Sequence, residues 1–424
     1  YSDVALWEDF TAKANHRNLG EQDYSDTKLW ELADGNITAR SLAASLAVGV
    51  GKKAGVAVSG AGAVSENIIL TQTNAYVDNS VIVSGANIDI DAENTAYINA
   101  TVAAVAVAIG AGGKAGVGVS VGVSIAENLI GWDANGDKAP AEVQAYTENS
   151  SITTQGNLTL DAHSDGKIDA FVLAGSAAIA GGSKVGGALS GAGVSATNKI
   201  ATYIKAYIDG DHQDNDTTNV GIRAQDVALH ASDLSSITAV AAAVSISAAY
   251  GGKAGVALSV GVSLGENHIS NEVGAYIVNA DGAGVSTTGQ VILDARSIAD
   301  IDALTAAASV AISGGGTAGI AVSGAGAVAK NVILTRSNAY IQESIVDSVG
   351  DISLNGFSDS AIDATVVAVS GAIAVGGNAG IGASVGFALA RNFIGWDPSA
   401  PDSDYDTSAE LKTINPGITV RVLD

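Results

Sequence analysis

The 424-residue chain has no cysteine and no methionine, 4 prolines, and only 5% aromatic residues. Without cysteine it forms no disulfides and no thiolate metal sites, and a chain with nothing to oxidise suits an exposed, extracellular setting. So few rings beside 47% hydrophobic residues and 52 glycines favour thin layers of small side chains over a globular core. Positive charge is scarce as well: 20 Lys and Arg stand against 44 Asp and Glu, for a net charge of −24. Nucleic acid is therefore excluded as a partner, because phosphate binding needs basic patches. Long uninterrupted apolar runs are missing too. Gly and Ser break each of them, none would span a bilayer as a helix, and no membrane insertion is expected. No signal peptide opens the chain at Tyr1, and both ends read as cut from something longer.

What the chain does have is repetition. The stretch from Asp91 to Asn128, DAENTAYINATVAAVAVAIGAGGKAGVGVSVGVSIAEN, holds two apolar runs joined at a glycine turn. Aligning its turn residue with those of its copies gives Lys53, Lys114, Lys184, Lys253, Thr317 and Asn378. An asparagine follows each after 14 residues: Asn67, Asn128, Asn198, Asn267, Asn331 and Asn392. A small residue precedes the last five turns by 22 residues: Ala92, Ala162, Ala231, Ala295 and Gly356. A block spanning 36 residue steps is thus copied without insertion or deletion, and such internal repetition decides architecture before local propensity does.

The asparagine spacings are 61, 70, 69, 64 and 61. The excess over 61 falls at two places only. One follows the asparagine, where GWDANGDKA is added beyond Asn128. The other follows the tyrosine of the series Tyr76, Tyr146, Tyr207, Tyr276 and Tyr340, around DGDHQDNDTTN and ADGAG. Solenoids accept loops at their corners in this way. The array therefore comprises about six units of 61 residues over 37–396. Residues 1–36 form a polar, Trp-containing module in which YSDVALWE is echoed as YSDTKLWE, replacing the strand that should open the first unit. Residues 397–424 form an acidic connector.

Inside a unit the period is two. Val117, Val119, Val121, Val123 and Ile125 alternate with Gly118, Ser120, Gly122 and Ser124, and Val105, Val107 and Ile109 alternate with Ala104, Ala106 and Ala108. Strict alternation with β-branched residues on one side predicts strands, and a helix would lose roughly 1 kcal/mol at each interior glycine. The Val and Ile face is expected to pack the core. The uncharged Ala, Gly and Ser face is unlike a solvated strand face, and is expected either to pack closely on a second sheet or to form an interface patch.

If each coil lies on the next, equivalent residues form columns about 4.8 Å apart. Stacked asparagines then hydrogen-bond along the axis, and the tyrosines form a second column. A third reads Asp91, Asp161, His230, Asp294, Asn355, and a fourth Asn99, Asp169, Thr238, Asp302, Asp363. Stacked carboxylates repel, so these two belong at solvated corners or around a cation. The turn at Gly112 to Lys114 could close a hairpin or an arch between two sheets. The expected fold is all-β: an elongated parallel β-solenoid (β-helix) with corner-loop insertions, the alternative being a stack of long antiparallel β-hairpins.

Chemistry-bearing motifs are few. Asp133, Asn135 and Asp137 have the one-three-five oxygen spacing of a calcium loop, but position twelve is Gln144, so this is no EF-hand. Asp209, Asp211, Asp214 and Asp216 make a denser acidic loop, and Asp397, Asp402, Asp404 and Asp406 a third. These candidate calcium ligands double as polar corner loops, and no cofactor is required. Trp132 and Trp396, in a repeated Asn-x-Ile-Gly-Trp-Asp, are expected to cap strand ends rather than stack a sugar. His16, His163, His212, His230 and His268 lie in no catalytic spacing, and GAGGKAG lacks the GxxxxGK[ST] of a phosphate loop. Sequons at Asn36, Asn99, Asn149, Asn157 and Asn215 occur at about the rate that an Asn-, Ser- and Thr-rich chain produces by chance.

The segments NAYVDNSVIVSGANIDIDA, AVAVAIGAGG, GVGVSVGVS and DYSDTKLWEL together resemble large repetitive bacterial filamentous adhesins, including the leukotoxin-family filamentous adhesins. The likeness covers nearly the whole chain as a pattern and carries no catalytic residue. In such proteins a segment like LGEQDYSDTKLWEL follows one like LKTINPGITVRVLD; here the two stand at opposite ends. The resemblance implies secretion, an extracellular or cell-surface location and a structural or adhesive role without enzymatic activity. Its partners would be the chain itself, through homopolymer or lateral contacts, and a host or neighbouring-cell surface. A carbohydrate-active or carbohydrate-binding β-helix is the alternative function.

Overall fold

The computed structural model describes residues 2–3, 30–31, 36–210 and 221–396. Six long outgoing strands form one sheet: Asn36–Gly51, Ile88–Gly112, Leu158–Gly182, Val227–Gly251, Val291–Gly315 and Ile352–Gly376. The chain turns over two residues and comes back in a second sheet through Ala54–Ile69, Ala115–Ile130, Val185–Ile200, Ala254–Val278, Ala318–Gln342 and Ala379–Ile394. In the first three units the return run resumes past a corner as Gln72–Asp78, Ala141–Glu148 and Thr202–Asp209. A third sheet of short strands, Val81–Ser84, Ser151–Thr154, Ile222–Ala224, Val285–Thr287 and Val346–Ser348, closes the coil. Outside the array, Ser2–Asp3 pairs antiparallel with Trp30–Glu31, joining the two copies of the N-terminal duplication.

Each strand of the array pairs in parallel with its equivalent in the next coil. Asp161 pairs with Asp91 on one side and His230 on the other, and Asn198 with Asn128 and Asn267. The turns stack as well, with Lys114 N donating to Lys53 O at 2.8 Å and Lys184 N to Lys114 O at 2.9 Å. The fold is therefore the parallel β-solenoid. The glycine turn is an arch between sheets rather than a hairpin, and the antiparallel stack is excluded. The added segments of 131–139 and 280–284 fall between strands at corners, and the 211–220 insertion lies outside the described residues.

The coil has two regions that demand different side chains. At its base three sheets enclose a core of Leu, Ile and Val, including Leu158, Leu160, Ile204, Leu229 and Leu293, all buried. Each such side chain contributes roughly 1.5–3 kcal/mol on burial. Beyond the base only two sheets remain, forming a fin. Isoleucines face each other first (Ile98, Ile130, Ile168, Ile200), then Ala and Val (Ala104, Val102, Ala126, Ala174), then little but alanine (Ala178, Ala188, Ala257, Ala321). Side-chain size tapers toward the arch because a two-residue link holds the sheets closer than the usual separation of about 10 Å. At the tip even a methyl group is too large: a Cβ on Gly116 would overlap the carbonyl oxygen of Gly181 in the next coil.

This reverses one expectation. The Ala, Gly and Ser face packs inside the chain, sheet against sheet. The Val and Ile face of the fin, expected in the core, points outward: Val105, Val121, Val123, Ile125, Val260 and Ile312 are all exposed. The physical reason is the arch, which toward the tip leaves room between the sheets for alanine, glycine and serine but not for branched side chains.

Corners need backbone that most residues resist. Asn79, Asn149, Asn279 and Glu343 hold equivalent left-handed positions, with φ of 46, 46, 54 and 46°. Asn tolerates this region and Glu does not, so Glu343→Asn is expected to raise stability by about 0.5–1 kcal/mol, read by chemical denaturation. The fin makes a sharper claim. Gly116→Val should abolish the cooperative unfolding transition, whereas Gly187→Val, where nothing lies within 4 Å of the new Cβ, should leave it intact; equal effects would contradict the inward placement of Gly116.

Candidate functional site

The repeated columns are the most ordered chemistry in the molecule. Asn67, Asn128, Asn198, Asn267, Asn331 and Asn392 form a continuous amide ladder in which each Nδ2 donates to the next Oδ1, over 2.7 Å for the first bond and 2.8 Å for the others. Asn128, Asn198 and Asn331 are fully buried, so each amide depends on its neighbours for both bonds. Tyr76, Tyr146, Tyr207, Tyr276 and Tyr340 stack on the outer face of the base, ring centroids 4.7–5.0 Å apart and planes within 10° of parallel. Burial pushes the hydroxyls of Tyr146, Tyr207, Tyr276 and Tyr340 up from their ordinary value.

A third polar series lies inside the fin. Serines that stand 14 residues apart across the arch face each other. Ser190 Oγ donates to Ser176 Oγ at 2.9 Å, Ser245 to Ser190 at 2.9 Å, and Ser259 to Ser245 at 2.8 Å. Ser323, Ser309, Ser370 and Ser384 continue the pattern in the later coils. Sequence reasoning treated these serines as small spacers. Their recurrence at a fixed offset from the turn was the available signal.

The acidic columns do not lie at corners. Asp91, Asp161, His230, Asp294 and Asn355, and Asn99, Asp169, Thr238, Asp302 and Asp363, sit within the long outgoing strands, on the outward face. Partial burial pushes the Asp161 carboxyl up, opposed by His230 beside it. Asp169 accepts a hydrogen bond from the Tyr97 hydroxyl at 2.8 Å and lies 3.2 Å from the Lys167 ammonium. That hydrogen bond is also the main reason the Tyr97 hydroxyl is pushed up.

Of the candidate calcium ligands, Asp133 closes its own loop. Its Oδ1 accepts the backbone N–H groups of Asn135 and Asp137, each at 2.9 Å, and Asn135 Nδ2 donates to Oδ2 at 3.2 Å. The bond from Asp137 is the first cause holding that carboxyl below its ordinary value. Asp209 accepts from Asn279 Nδ2 at 2.8 Å at a different corner. Asp211, Asp214, Asp216, Asp397, Asp402, Asp404 and Asp406 lie outside the described residues, and among those described no three His, Asp or Glu side chains gather as a metal would need. Trp132 follows the end of Ile130 at a corner, 5.5 Å from the His268 ring and under the Lys199 ammonium at 4.9 Å. Trp396 packs edge-on against Phe393. No helix among the described residues is long and apolar enough to cross a membrane.

One buried carboxylate was not foreseen. Asp233 points inward where base meets fin, accepting from Ser235 at 2.8 Å, Asn271 at 2.8 Å and Ser297 at 3.1 Å. Burial pushes it up to about 6, against the hydrogen bonds that favour its charge. No family model, no curated protein and no solved structure matches the chain.

Two outcomes follow from this chemistry. Asn198→Ala strands the Asn128 Nδ2 donor and the Asn267 Oδ1 acceptor, and is expected to cost roughly 2–4 kcal/mol, against under about 1 kcal/mol for Asn392→Ala at the last coil; equal losses in a urea titration would deny the ladder its role. Asp233 has a folded pKa raised above its unfolded value of about 3.9. Stability should therefore be highest below that value and fall as pH rises to about 6; by linkage this component is on the order of 2–3 kcal/mol. Asp233→Asn should remove it, seen as a flatter melting-temperature profile between those pH values.

Proposed function

We propose that the chain is a structural segment of an extracellular filament or surface adhesin, working through stacked and self-associating β coils. The observation that carries this reading is the uninterrupted parallel register of the coils. All the ladders of the array are parallel, and among the described residues nothing pairs with the outer edges of Asn36–Gly51 or Ile352–Gly376. An edge of that kind is a template for another strand, so the architecture extends by repetition. Each coil adds about 4.8 Å along the axis while its 25-residue strands reach about 80 Å across it. The six described coils thus form a blade, and a filament arises only when many such units follow one another.

The net charge of −24 suits a solvent-exposed surface, and the likeness to filamentous adhesins supports secretion and a surface address. In this reading the partners are further copies of the coil and a host or neighbouring-cell surface. No cofactor is needed for stacking; calcium, where it binds, would act on the charge of corner loops such as 133–137. Antibodies against residues 36–396 should label unpermeabilised source cells along extended structures. Label that appears only after permeabilisation would contradict the proposal.

A further inference from the structure

The return face of the fin is apolar, exposed and corrugated. Two of its outward columns alternate, coil by coil, between glycine and a large side chain. The first, third and fifth coils carry Gly60 and Gly62, Gly191 and Gly193, Gly324 and Gly326. The second, fourth and sixth carry Val121 and Val123, Val260 and Val262, Val385 and Phe387. A Cβ on any of the six glycines would have nothing within 4 Å, while the six large side chains are exposed. With coils about 4.8 Å apart, ridges and furrows alternate every 10 Å or so. The outgoing face alternates cleanly in one column only: Ala44, Val105, Gly175, Val244, Ala308 and Val369.

We infer that the return face is a self-docking surface, on which a second copy of the chain seats its ridges in these furrows. A two-fold axis along the strand direction, between the third and fourth coils, reverses coil order and sets every ridge over a furrow. Gly191 and Gly193 then face Val260 and Val262, and Gly324 and Gly326 face Val121 and Val123. The same operation places Glu66 opposite Arg391 and Glu127 opposite Lys330 in the charged row that borders the apolar band, and Lys53 opposite Asn378 at the tip. In the charged row like charges are thereby kept apart, as an isologous contact favours, while at the tip Lys184 comes opposite Lys253, where both are exposed to solvent. The band measures about 30 Å along the strands and about 30 Å across six coils, or about 900 Å² per partner. A standard stable interface uses about 800 Å² per partner.

The band's height also matches the hydrocarbon core of a bilayer, about 30 Å. Fluid acyl chains impose no alternation of ridge and furrow, however, and the outer backbone edges of the first and last described strands would meet hydrocarbon without partners. A second copy fits both observations and lipid fits neither.

The inference rests on the self-associating reading above and adds the face and the symmetry. The absence of cysteine makes a clean test available. Gly62→Cys and Phe387→Cys chains, which the two-fold brings face to face while like cysteines stay five coils or about 24 Å apart, should cross-link to each other through a short bismaleimide well above the level of either chain alone. In sedimentation velocity the 424-residue chain should form dimers. Filling the furrows with Gly60→Val, Gly62→Val, Gly191→Val and Gly193→Val should weaken them by at least about tenfold while the circular dichroism is unchanged. Glu66→Arg should weaken them too, with Arg391→Glu in the same chain restoring association whether or not the furrow-filled variant folds. A chain that stays monomeric across the micromolar range, or that floats with phosphatidylcholine and phosphatidylglycerol vesicles as a monomer, would overturn the inference. Monomers that keep the 4.8 Å coil spacing would leave the filament reading standing; loss of that spacing would remove both.

Discussion

Everything in this molecule depends on the hydrogen-bonded register between one coil and the next. Once 25 consecutive residues of one strand pair with 25 of another, each side chain is committed to lie over its equivalent. Like must then tolerate like. Amides, tyrosine rings and hydroxyls do so with gain: the Asn ladder satisfies itself along the axis, the rings stack nearly parallel, and serines bond serines. Charges do so at a cost. The column running through Asp161 sets it beside Asp91 on one side and His230 on the other, and stays on the outward face where water screens it.

A second constraint follows from the two-residue arch. Holding the sheets close at one end makes the coil a wedge, so residue size is graded from leucine and isoleucine at the base to glycine at the tip. Toward the arch the interior of the fin is filled by small residues and branched ones are no longer admitted, which leaves Val and Ile of that part on the outside. An outward apolar face is thus a consequence of the arch, and its period-two relief is what turns it into a specific surface rather than a merely sticky one.

Much of this was legible in the sequence. The fixed offsets of Lys114, Asn128 and Ala92 from one another, with insertions confined to two places, dictate a solenoid with corner loops, and the registers of Asn198 and Tyr207 follow from counting alone. The side of the sheet that faces inward was not legible in the same way. Hydrophobicity ranks Val above Ala, and only the separation of the sheets reverses that order. Asp233 escaped notice because the fourth coil alone puts a carboxylate in a column that elsewhere holds Asn94, Ser164 and Ser297. The alternation of Gly62 and Val123 was present in the aligned units, but acquires meaning once those positions are known to point outward.

The account stands on a narrow fin with small residues inside. Its most direct test is electron cryomicroscopy of the assembled chain at a resolution that separates sheets. A 4.8 Å repeat along the axis, with the two long sheets closing toward the arch to well under 10 Å and Val123 on the outer surface, is the predicted result. Sheets that stay about 10 Å apart over the whole strand length, with Val123 between them, would contradict it.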